Sequence, residues 1–249
     1  MRTPSLKQQF PCHQCPFNNH KSFRAMNGDE IEFMEGFKKG ELQVQSGSTF
    51  MVEGNNSPHL YTVLSGWAFR YKTLADGRRQ ILNYIMPGDF IGLQGGLLQE
   101  MQHSIQAMSD MLLCVFERGS LFSLFQRNPS LSYDVTWLAA REEQILDEHL
   151  LSVGRRTALE RSAYLISFIH ARAGRVNLFE NPDILAPFTQ THVADTLGLS
   201  LVHTNKTLRT LQQRDMIEWV GKSCRIKSTE ELSNLANWEG LPDVERPYI

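Results

Sequence analysis

The sequence predicts an α+β protein with an N-terminal antiparallel β-roll, a long helix, and a C-terminal pair of short helices followed by a two-stranded wing. Three observations lead to this prediction. Residues 47–118 consist of short β-type runs separated by turn residues. A long helical period begins after Pro129. Residues 188–211 have the capping residues and spacing of two helices joined by a tight turn.

The β-type runs are typical of a small roll or barrel. Asp76-Gly77 lies between two runs, and this dipeptide readily adopts the positive φ values of a tight hairpin turn. A second turn is predicted at Pro87-Gly88-Asp89. Closing such short strands into a roll protects the edges of the sheet.

The long helix has a narrow stripe of residues at alternating spacings of four and three. The stripe consists of Leu131, Val135, Leu138, Glu142, Ile145 and His149. Such a seam, with charged flanks, favours packing against the same helix of an identical partner. The alternative is that the helix lies on its own domain. Gly154 is predicted to interrupt the helix, and a second helical period then ends at Gly174.

Residues 188–211 predict a helix-turn-helix. Thr189 can cap the first helix and Ser200 the second, while Gly198 supplies the left-handed turn between them. The small side chain of Ala194 lies where the helices would cross. The inward positions are Val193, Ala194 and Leu197 on the first helix, and Thr204, Leu208 and Leu211 on the second.

The second helix then turns a polar face outward, which predicts DNA binding. The exposed residues are expected to be Val202, His203, Asn205, Lys206 and Arg209. Asn205 can bond an adenine edge, Lys206 can donate to guanine, and Val202 can contact a thymine methyl group. Thr191 and Lys222 complete the predicted set, Lys222 from the wing. The alternative is an ordinary helical hairpin with a solvated charged face.

Charge and composition restrict the other possibilities. The 25 basic and 27 acidic residues give a net charge of −2, whereas residues 187–227 carry six basic and three acidic residues. A basic surface is therefore expected only locally. The first ten residues have no apolar signal-peptide core, and the longest apolar run, Met111 to Phe116, is far shorter than a membrane helix. We therefore expect a cytoplasmic protein that does not span a membrane.

Three stretches together resemble the Crp/Fnr family of bacterial transcription regulators, especially its alphaproteobacterial branch. They are "VLSGWAFRYKTLADGRRQILNYIMPGDFIG", "GRRTALERSAYL" and "PFTQTHVADTLGLSLVHTNKTLRTLQQRDMI". The resemblance covers roughly residues 12–235. It implies a cyclic-nucleotide-binding-like sensor roll, a homodimer formed by the long helix, and a winged helix-turn-helix that reads a palindromic promoter site in double-stranded DNA. It also implies RNA polymerase as a partner.

The resemblance divides the chain into five parts. These are an arm (1–30), the β-roll sensor domain (31–128), the dimerisation helix and hinge (129–174), the winged helix-turn-helix (175–235) and a tail (236–249). The family's base-reading positions fall on Val202, Asn205 and Lys206. The best-known members have Glu and Arg where this chain has Val202 and Lys206, so a different half-site preference is expected.

The resemblance leaves the signal open. Cyclic-nucleotide members hold the phosphate with an Arg-Ser pair, but this chain has His103-Ser104 there, so cAMP binding is not predicted. Iron-sulfur members use four cysteines, three in an N-terminal cluster and one on a late strand of the roll. Cys12 and Cys15 lie in the N-terminal region, and Cys114 matches the position of the late ligand. A third N-terminal cysteine is missing. His13 or His20 as a substitute ligand, thiol redox sensing, and a structural role all stay open, while Cys224 is expected to be a buried apolar residue.

An enzyme is the alternative from a different functional class. Small β-rolls also host cupin-like metal-dependent enzymes, and His59 and His103 both lie in the predicted roll. Such metal sites usually need a His-x-His pair with a carboxylate, because three or more ligands fix the metal geometry. Neither histidine has a partner at that spacing, so the sequence favours the regulator and predicts no enzyme activity.

Overall fold

The computed structural model describes residues 10–249, which form two compact units. The first unit contains the chain up to Arg70, Ile85–Glu143 and Val244–Ile249, and the second contains Tyr71–Tyr84 and Gln144–Asp243. This division differs from the predicted domains because a piece of the roll groups with the C-terminal part, and part of the tail with the N-terminal part. The first nine residues of the predicted arm lie outside the described residues.

Two four-stranded sheets form the predicted roll. Its strands are β1 (Lys38–Val44), β2 (Thr49–Met51), β3 (His59–Ser65), β4 (Ala68–Thr73), β5 (Arg79–Ile85), β6 (Phe90–Ile91), β7 (Ser104–Ala107) and β8 (Met111–Glu117). The sheet orders are β1-β8-β3-β6 and β2-β7-β4-β5. β8 pairs antiparallel with both β1 and β3, as a roll requires. Alternate apolar residues, including Val63, Ile105 and Leu113, fill the core.

Short helices flank the roll. They are α1 (Gly28–Phe37), α2 (Leu93–Leu98) and α3 (Leu121–Arg127). Asn27 caps α1 in a capping box with Glu30, in which each side chain accepts a hydrogen bond from the other residue's amide. Gly92, with a φ of 95°, begins α2 in a conformation that favours glycine.

The long helix α4 (Pro129–Arg155) corrects the seam assignment. Four seam residues are buried within one chain: Leu131, Val135, Leu138 and Ile145. The two polar positions also have partners in the same chain, since Glu142 pairs with Arg70 at 2.7 Å and the His149 Nδ1 lies 2.9 Å from the Tyr164 hydroxyl. The prediction that this seam faces a partner was therefore wrong. Periodicity located an apolar stripe, but the stripe packs within its own chain.

A different apolar stripe of α4 is exposed. Leu146, Leu150 and Val153 recur at spacings of four and three, and Leu150 is 70% exposed. α4 continues one residue beyond Gly154, and Thr157 then caps the next helix with Glu160. Within residues 10–249, neither α4 nor any other helix combines the length and apolar character needed to cross a bilayer.

The second unit contains the predicted helix-turn-helix and wing. Its elements are α5 (Ala158–Arg175), β9 (Ile184–Leu185), α6 (Gln190–Leu197), α7 (Leu201–Gln213), β10 (Ile217–Val220), β11 (Ser223–Ile226) and α8 (Thr229–Ala236). The wing sheet has the order β10-β11-β9, so it gains a third strand from the segment predicted as a polar connection. α5 packs against α6, α7 and α8, and it is the central helix of this unit.

Candidate nucleic-acid interface

Two side-chain caps and one glycine set the geometry of the helix-turn-helix. The Thr189 Oγ1 accepts a hydrogen bond from the His192 amide at 3.3 Å, and the Ser200 Oγ accepts one from the His203 amide at 3.2 Å. Between the helices, Gly198 has a φ of 63°, and its amide donates to the Ala194 carbonyl. The caps satisfy amides that have no partner in the helix, and the glycine allows the sharp turn. All three residues lie where the sequence predicted them.

The buried sides of α6 and α7 determine which side faces outward. The predicted inward residues are all buried: Val193, Ala194, Leu197, Thr204, Leu208 and Leu211. Because side chains at i, i+4 and i+7 share one face of a helix, their burial fixes the rotation of α7 about its axis. The opposite face of α7 is therefore a defined surface at the exterior of the second unit.

That exposed face carries four of the predicted DNA-contacting residues. Val202 is 81% exposed, and His203, Lys206 and Arg209 are also exposed. They occupy the first three turns of α7, directly after the Ser200 cap. Leu201, beside them, is 47% exposed and was not among the predicted contacts. Leu201 precedes the inward residues Thr204 and Leu208 by three and seven positions, so helical periodicity predicts an inward side chain and gives no signal of this exposure.

Asn205 lies at the edge of this surface. The residue is half-buried, and its Oδ1 atom is buried without a hydrogen-bond partner within the described part of the chain. An unsatisfied buried carbonyl oxygen costs roughly 1–3 kcal/mol. In this rotamer the amide does not present both of its polar groups outward, so a bidentate contact with adenine requires the side chain to rotate.

Thr191 and Lys222 lie on neighbouring elements and are both exposed. Thr191 is in the first turn of α6. Lys222 lies in the turn between β10 and β11, where Gly221 has a φ of 59° and the Lys222 carbonyl accepts a hydrogen bond from the Phe188 amide at 2.7 Å. The wing turn is therefore held by its backbone, while the lysine side chain stays accessible.

Ion pairs leave a basic surface on this part of the second unit. Each of the three acidic residues in 187–227 has a cationic partner: Asp195 with Arg79 at 2.6 Å, Asp215 with Lys227 at 2.6 Å, and Glu218 with Arg225 at 3.7 Å. Lys206, Arg209 and Lys222 form no salt bridge with any residue that the structure describes. Their charges are therefore available to DNA phosphates, which dominate the affinity of such interfaces.

A hairpin of the roll contacts α6, and no sequence pattern predicted these contacts. Tyr71–Tyr84 belongs to the same compact unit as the helix-turn-helix. Besides the Arg79–Asp195 ion pair, the Gln80 Nε2 donates to the Thr196 carbonyl at 2.7 Å, and the Tyr84 hydroxyl lies 2.8 Å from the Thr196 Oγ1. These contacts join residues more than a hundred positions apart, so no local pattern could predict them.

His192 completes the N-terminal cap of α6 in its neutral form. Its Nδ1 accepts a hydrogen bond from the Thr189 amide at 3.2 Å. Burial of the ring, together with the positive charge of Arg79, lowers the pKa of His192 to about 4. The imidazole is therefore uncharged at neutral pH and can act as the acceptor that the cap requires.

The three candidate cluster cysteines lie in the first unit. Cys12 begins a short 3-10 turn (Cys12–Gln14), Cys15 follows it, and Cys114 is on β8. Burial raises the pKa of Cys12 and of Cys114 to about 12, and it also raises the pKa of Cys15. The charges of Cys12 and Cys15 add to the effect at Cys114, so the three thiols interact electrostatically.

These thiols do not make up a four-cysteine site. Lys38, whose Nζ lies 2.5 Å from the Glu41 Oε1, places a buried ammonium group in the same environment. Within residues 10–249, no group of three or more His, Cys, Asp or Glu residues is arranged to hold a metal ion. The fourth cysteine, Cys224, is buried in the wing. The donor set therefore does not fit a cluster with four thiolate ligands.

The roll residues named for other ligands have structural surroundings. His59 is half-buried at the start of β3, and His103 is buried beside β7. The Ser104 Oγ accepts a hydrogen bond from the Glu53 amide at 3.0 Å, so this hydroxyl already binds the backbone of the roll. Neither histidine belongs to a metal-binding group among the described residues.

Two family models match this chain. The model described as "Cyclic nucleotide-binding domain" matches residues 41–128, and the model described as "Crp-like helix-turn-helix domain" matches residues 160–235. Together they cover well over half of the chain. The matched ranges correspond to the roll and to the helices and wing described above.

Relatives of known name agree with these matches. Transcriptional activator protein FnrL of Cereibacter sphaeroides is 28% identical over 214 residues, which is 85% of each chain. Nitrogen fixation regulation protein FixK of Bradyrhizobium diazoefficiens is 26% identical over 83% of this chain and 85% of the relative.

A solved structure is similar over most of its length. FixK2 from Bradyrhizobium japonicum superimposes with a TM-score of 0.68 at 26% identity, covering 78% of this chain and 96% of FixK2. Models of both domains, relatives along most of the chain, and this similarity in fold all agree. With its β-roll, long helix and capped helix-turn-helix, this chain belongs to the Crp/Fnr family of DNA-binding transcriptional regulators.

Proposed function

We propose that the protein acts as a homodimer that places α7 of each subunit in the major groove of a palindromic promoter site. The observation that carries this proposal is the exposed face of α7. It begins directly after the Ser200 cap, it carries unpaired basic side chains, and the buried opposite face fixes its orientation. Side chains near the N-terminal end of a recognition helix reach base edges, and those further along reach phosphates.

The side chains divide into two roles. Val202 contacts a thymine methyl group, Lys206 donates to a guanine, and Asn205 bonds an adenine once its amide has rotated. The other four residues, His203, Arg209, Thr191 and Lys222, contact the phosphate backbone and fix the register. An apolar Val202 offers no acceptor to a cytosine amine, so the half-site differs from that of family members with a glutamate at this position.

The homodimer forms through the exposed stripe of α4. Leu146, Leu150 and Val153 form a continuous apolar row along a helix whose other apolar stripe is already buried in its own chain. Burying such a row against its copy in a second subunit gives the two-fold symmetry that a palindromic site requires. This row replaces the seam that the periodicity of the sequence suggested.

The first unit senses the signal, and it does so without binding cAMP or a four-cysteine iron-sulfur cluster. No guanidinium accompanies Ser104 at the position of the phosphate-binding pair, and Ser104 already bonds the backbone of Glu53. Of the alternatives, a thiol signal at Cys12 and Cys15 fits the partly accessible arm best. Their raised pKa values keep both thiols protonated at neutral pH, so both thiols react slowly with electrophiles.

The remaining partners follow from a role in transcription. The Cereibacter relative is a transcriptional activator, and we propose that this regulator likewise contacts RNA polymerase at its promoters. Because both partners, DNA and polymerase, are found in the cytoplasm, the protein acts there.

The test is selection of binding sites from random duplex DNA, followed by footprinting. The proposal predicts an enriched palindrome with two half-sites about one helical turn, ~34 Å, apart. Affinity for that duplex should fall steeply with salt as lysine and arginine contacts release counterions. No enriched sequence, or a single protected half-site bound by a monomer, would contradict it.

A further inference from the structure

Residues Val244–Ile249, named here the strap, return from the second unit and join the first. They lie beyond both matched family regions, which end at residues 128 and 235. The backbone of Arg246 runs parallel to the cysteine-bearing arm beside Phe23. The Arg24 amide donates to the Arg246 carbonyl at 2.9 Å, and the Arg246 amide donates to the Ser22 carbonyl at 3.0 Å.

The Arg246 side chain ties the arm and strap to a turn of the roll. Its Nη2 donates to the Asp89 Oδ1 at 2.8 Å and to the Gly88 carbonyl at 2.9 Å. The guanidinium also lies over the Phe23 ring, 5.6 Å from its centroid. A Cβ at residue 88 would stand 2.3 Å from the Phe23 ring, so the arm packs directly on this glycine.

Tyr248 adds an aromatic cluster to the contact between the strap and the arm. Its ring lies 5.3 Å from Phe17 and 5.6 Å from Phe23, measured between centroids, and all three rings are buried. The Tyr248 hydroxyl donates to the Asn18 Oδ1. The Asn18 Nδ2 in turn donates to the Cys12 carbonyl at 3.0 Å, so a short chain of hydrogen bonds joins the strap to the cysteine turn.

The strap and the thiols also interact electrostatically. Burial raises the pKa of Tyr248, and a negative charge on Cys15 or Cys12 raises it further. A negative charge formed at either thiol therefore acts on Tyr248, which packs against the arm. Cys12 and Cys15 are half-buried, in contrast to fully buried Cys224.

The segment before the strap is held separately in the second unit. An Arg175 Nη2 of α5 donates to the Leu241 carbonyl at 3.0 Å and to the Pro242 carbonyl at 2.6 Å. Only residues 243–245 separate these bonds from the Arg246 contacts along the chain. Three residues span at most about 11 Å, so a displacement of the strap that exceeds the slack in this spacer must disturb the Arg175 contacts.

We propose that the strap is a latch on the cysteine arm: it holds the arm closed on the roll, and an electrophilic alkene that reacts with Cys12 or Cys15 must displace it. In that addition the sulfur–carbon bond forms as the π bond of the alkene breaks, and the thiol proton passes through solvent to the neighbouring carbon. The chain then carries that displacement to the Arg175 contacts of the DNA-binding unit. This last step rests on the proposed function, whereas the latch itself does not.

The test compares thiol reactivity in the full-length protein without DNA. Alkylation rates of each cysteine with a maleimide are followed by mass spectrometry in the wild type, Arg246→Ala, Tyr248→Ala and Tyr248→Phe. Glu245→Ala is the matched control, because Glu245 is an exposed neighbour in the same strap. Cys224 in the second unit is the internal reference.

We expect Arg246→Ala and Tyr248→Ala to accelerate alkylation of Cys12 and Cys15 at least about ten-fold, with Cys224 unchanged and the control like the wild type. Tyr248→Phe, which keeps the ring and loses only the bond to Asn18, should lie between. Hydrogen exchange at the Arg24 and Arg246 amides should speed up together in the same variants.

Two results would overturn the latch. One is alkylation of Cys12 and Cys15 at the wild-type rate in both alanine variants. The other is an equal acceleration at all four cysteines, which would make the strap a general part of the fold. Since no measurement involves DNA, failure here is distinguishable from failure of the promoter-binding proposal.

Discussion

Two threonines on the inner face of α7 provide a matched test of hydrogen bonding in the recognition helix. Thr204 is fully buried, and its hydroxyl has no hydrogen-bond partner among residues 10–249. Thr207 is also buried, three residues later, but its Oγ1 donates to the His203 carbonyl at 2.9 Å. Replacing either residue with valine keeps the shape and β-branching and exchanges a hydroxyl for a methyl group.

The two substitutions should have opposite effects. A buried hydroxyl without a partner costs roughly 1–3 kcal/mol of desolvation, so Thr204→Val should raise the free energy of unfolding by about 1 kcal/mol. Thr207→Val loses a satisfied bond, which typically contributes about 0.5–1.5 kcal/mol, and should lower it. Threonine and valine have similar helix propensities, so backbone effects largely cancel.

Urea denaturation followed by circular dichroism measures the difference at an unchanged m-value. Affinity for a selected duplex serves as the control, since both side chains point away from the DNA-facing surface and neither change should alter binding. The reasoning is refuted if Thr204→Val is destabilised as much as Thr207→Val.

Three further predictions concern the cap, the dimer and pH. Ser200→Ala removes the α7 cap and should cost about 1 kcal/mol in urea unfolding, whereas Ser200→Asp, which can still cap, should not. Leu150→Asp should weaken the dimer at least about ten-fold in sedimentation equilibrium, while Asp147→Asn on the same helix should not; an unchanged dimer would exclude the exposed α4 stripe. The pKa of His192 is lowered to about 4, below the unfolded value of about 6.5, so the unfolded chain binds this proton first. The contribution of His192 to the free energy of unfolding should therefore be fully present above pH 7 and be lost as the pH falls towards 4. His192→Gln, which can still cap, should reduce the number of protons taken up on unfolding in this range by about one.

Local patterns predicted the helix-turn-helix because its determinants are local. Caps at Thr189 and Ser200 lie within three residues of the amides they satisfy, and Gly198 has no side chain that opposes its left-handed conformation. The inward faces of α6 and α7 followed from helical periodicity alone. The DNA-binding family followed from motifs that carry these same features.

The orientation of α4 could not be predicted in the same way. An apolar stripe identifies a face that must be buried, but it does not say whether a second copy or the same chain covers it. Leu131 and Ile145 pack within one chain, while Leu146 and Leu150 remain exposed. Because α4 has two apolar stripes, periodicity alone could not identify the stripe that is left for a partner. Only the packing of the chain distinguishes the buried stripe from the exposed one.

Side-chain rotamers and long-range contacts could not be predicted from the sequence either. Asn205 has the residue type and position of a base reader, yet its rotamer turns the amide oxygen inward. The Arg79–Asp195 and Arg246–Asp89 ion pairs join residues over a hundred positions apart. The strap contains no periodic pattern, and its role depends entirely on what it contacts.

Base recognition by the outer face of α7 is tested by a ratio of two affinities. Equilibrium binding of wild type and the Asn205→Ala, Lys206→Ala double variant is compared on a selected palindrome and on a scrambled duplex at the same salt concentration. Gln213→Ala, exposed at the far end of the same helix, is the control.

Loss of good base contacts costs about 1–3 kcal/mol each, so the double variant should lose at least about ten-fold of its preference for the palindrome, and the control should keep it. A double variant that keeps the wild-type ratio would show that the outer face of α7 does not read bases.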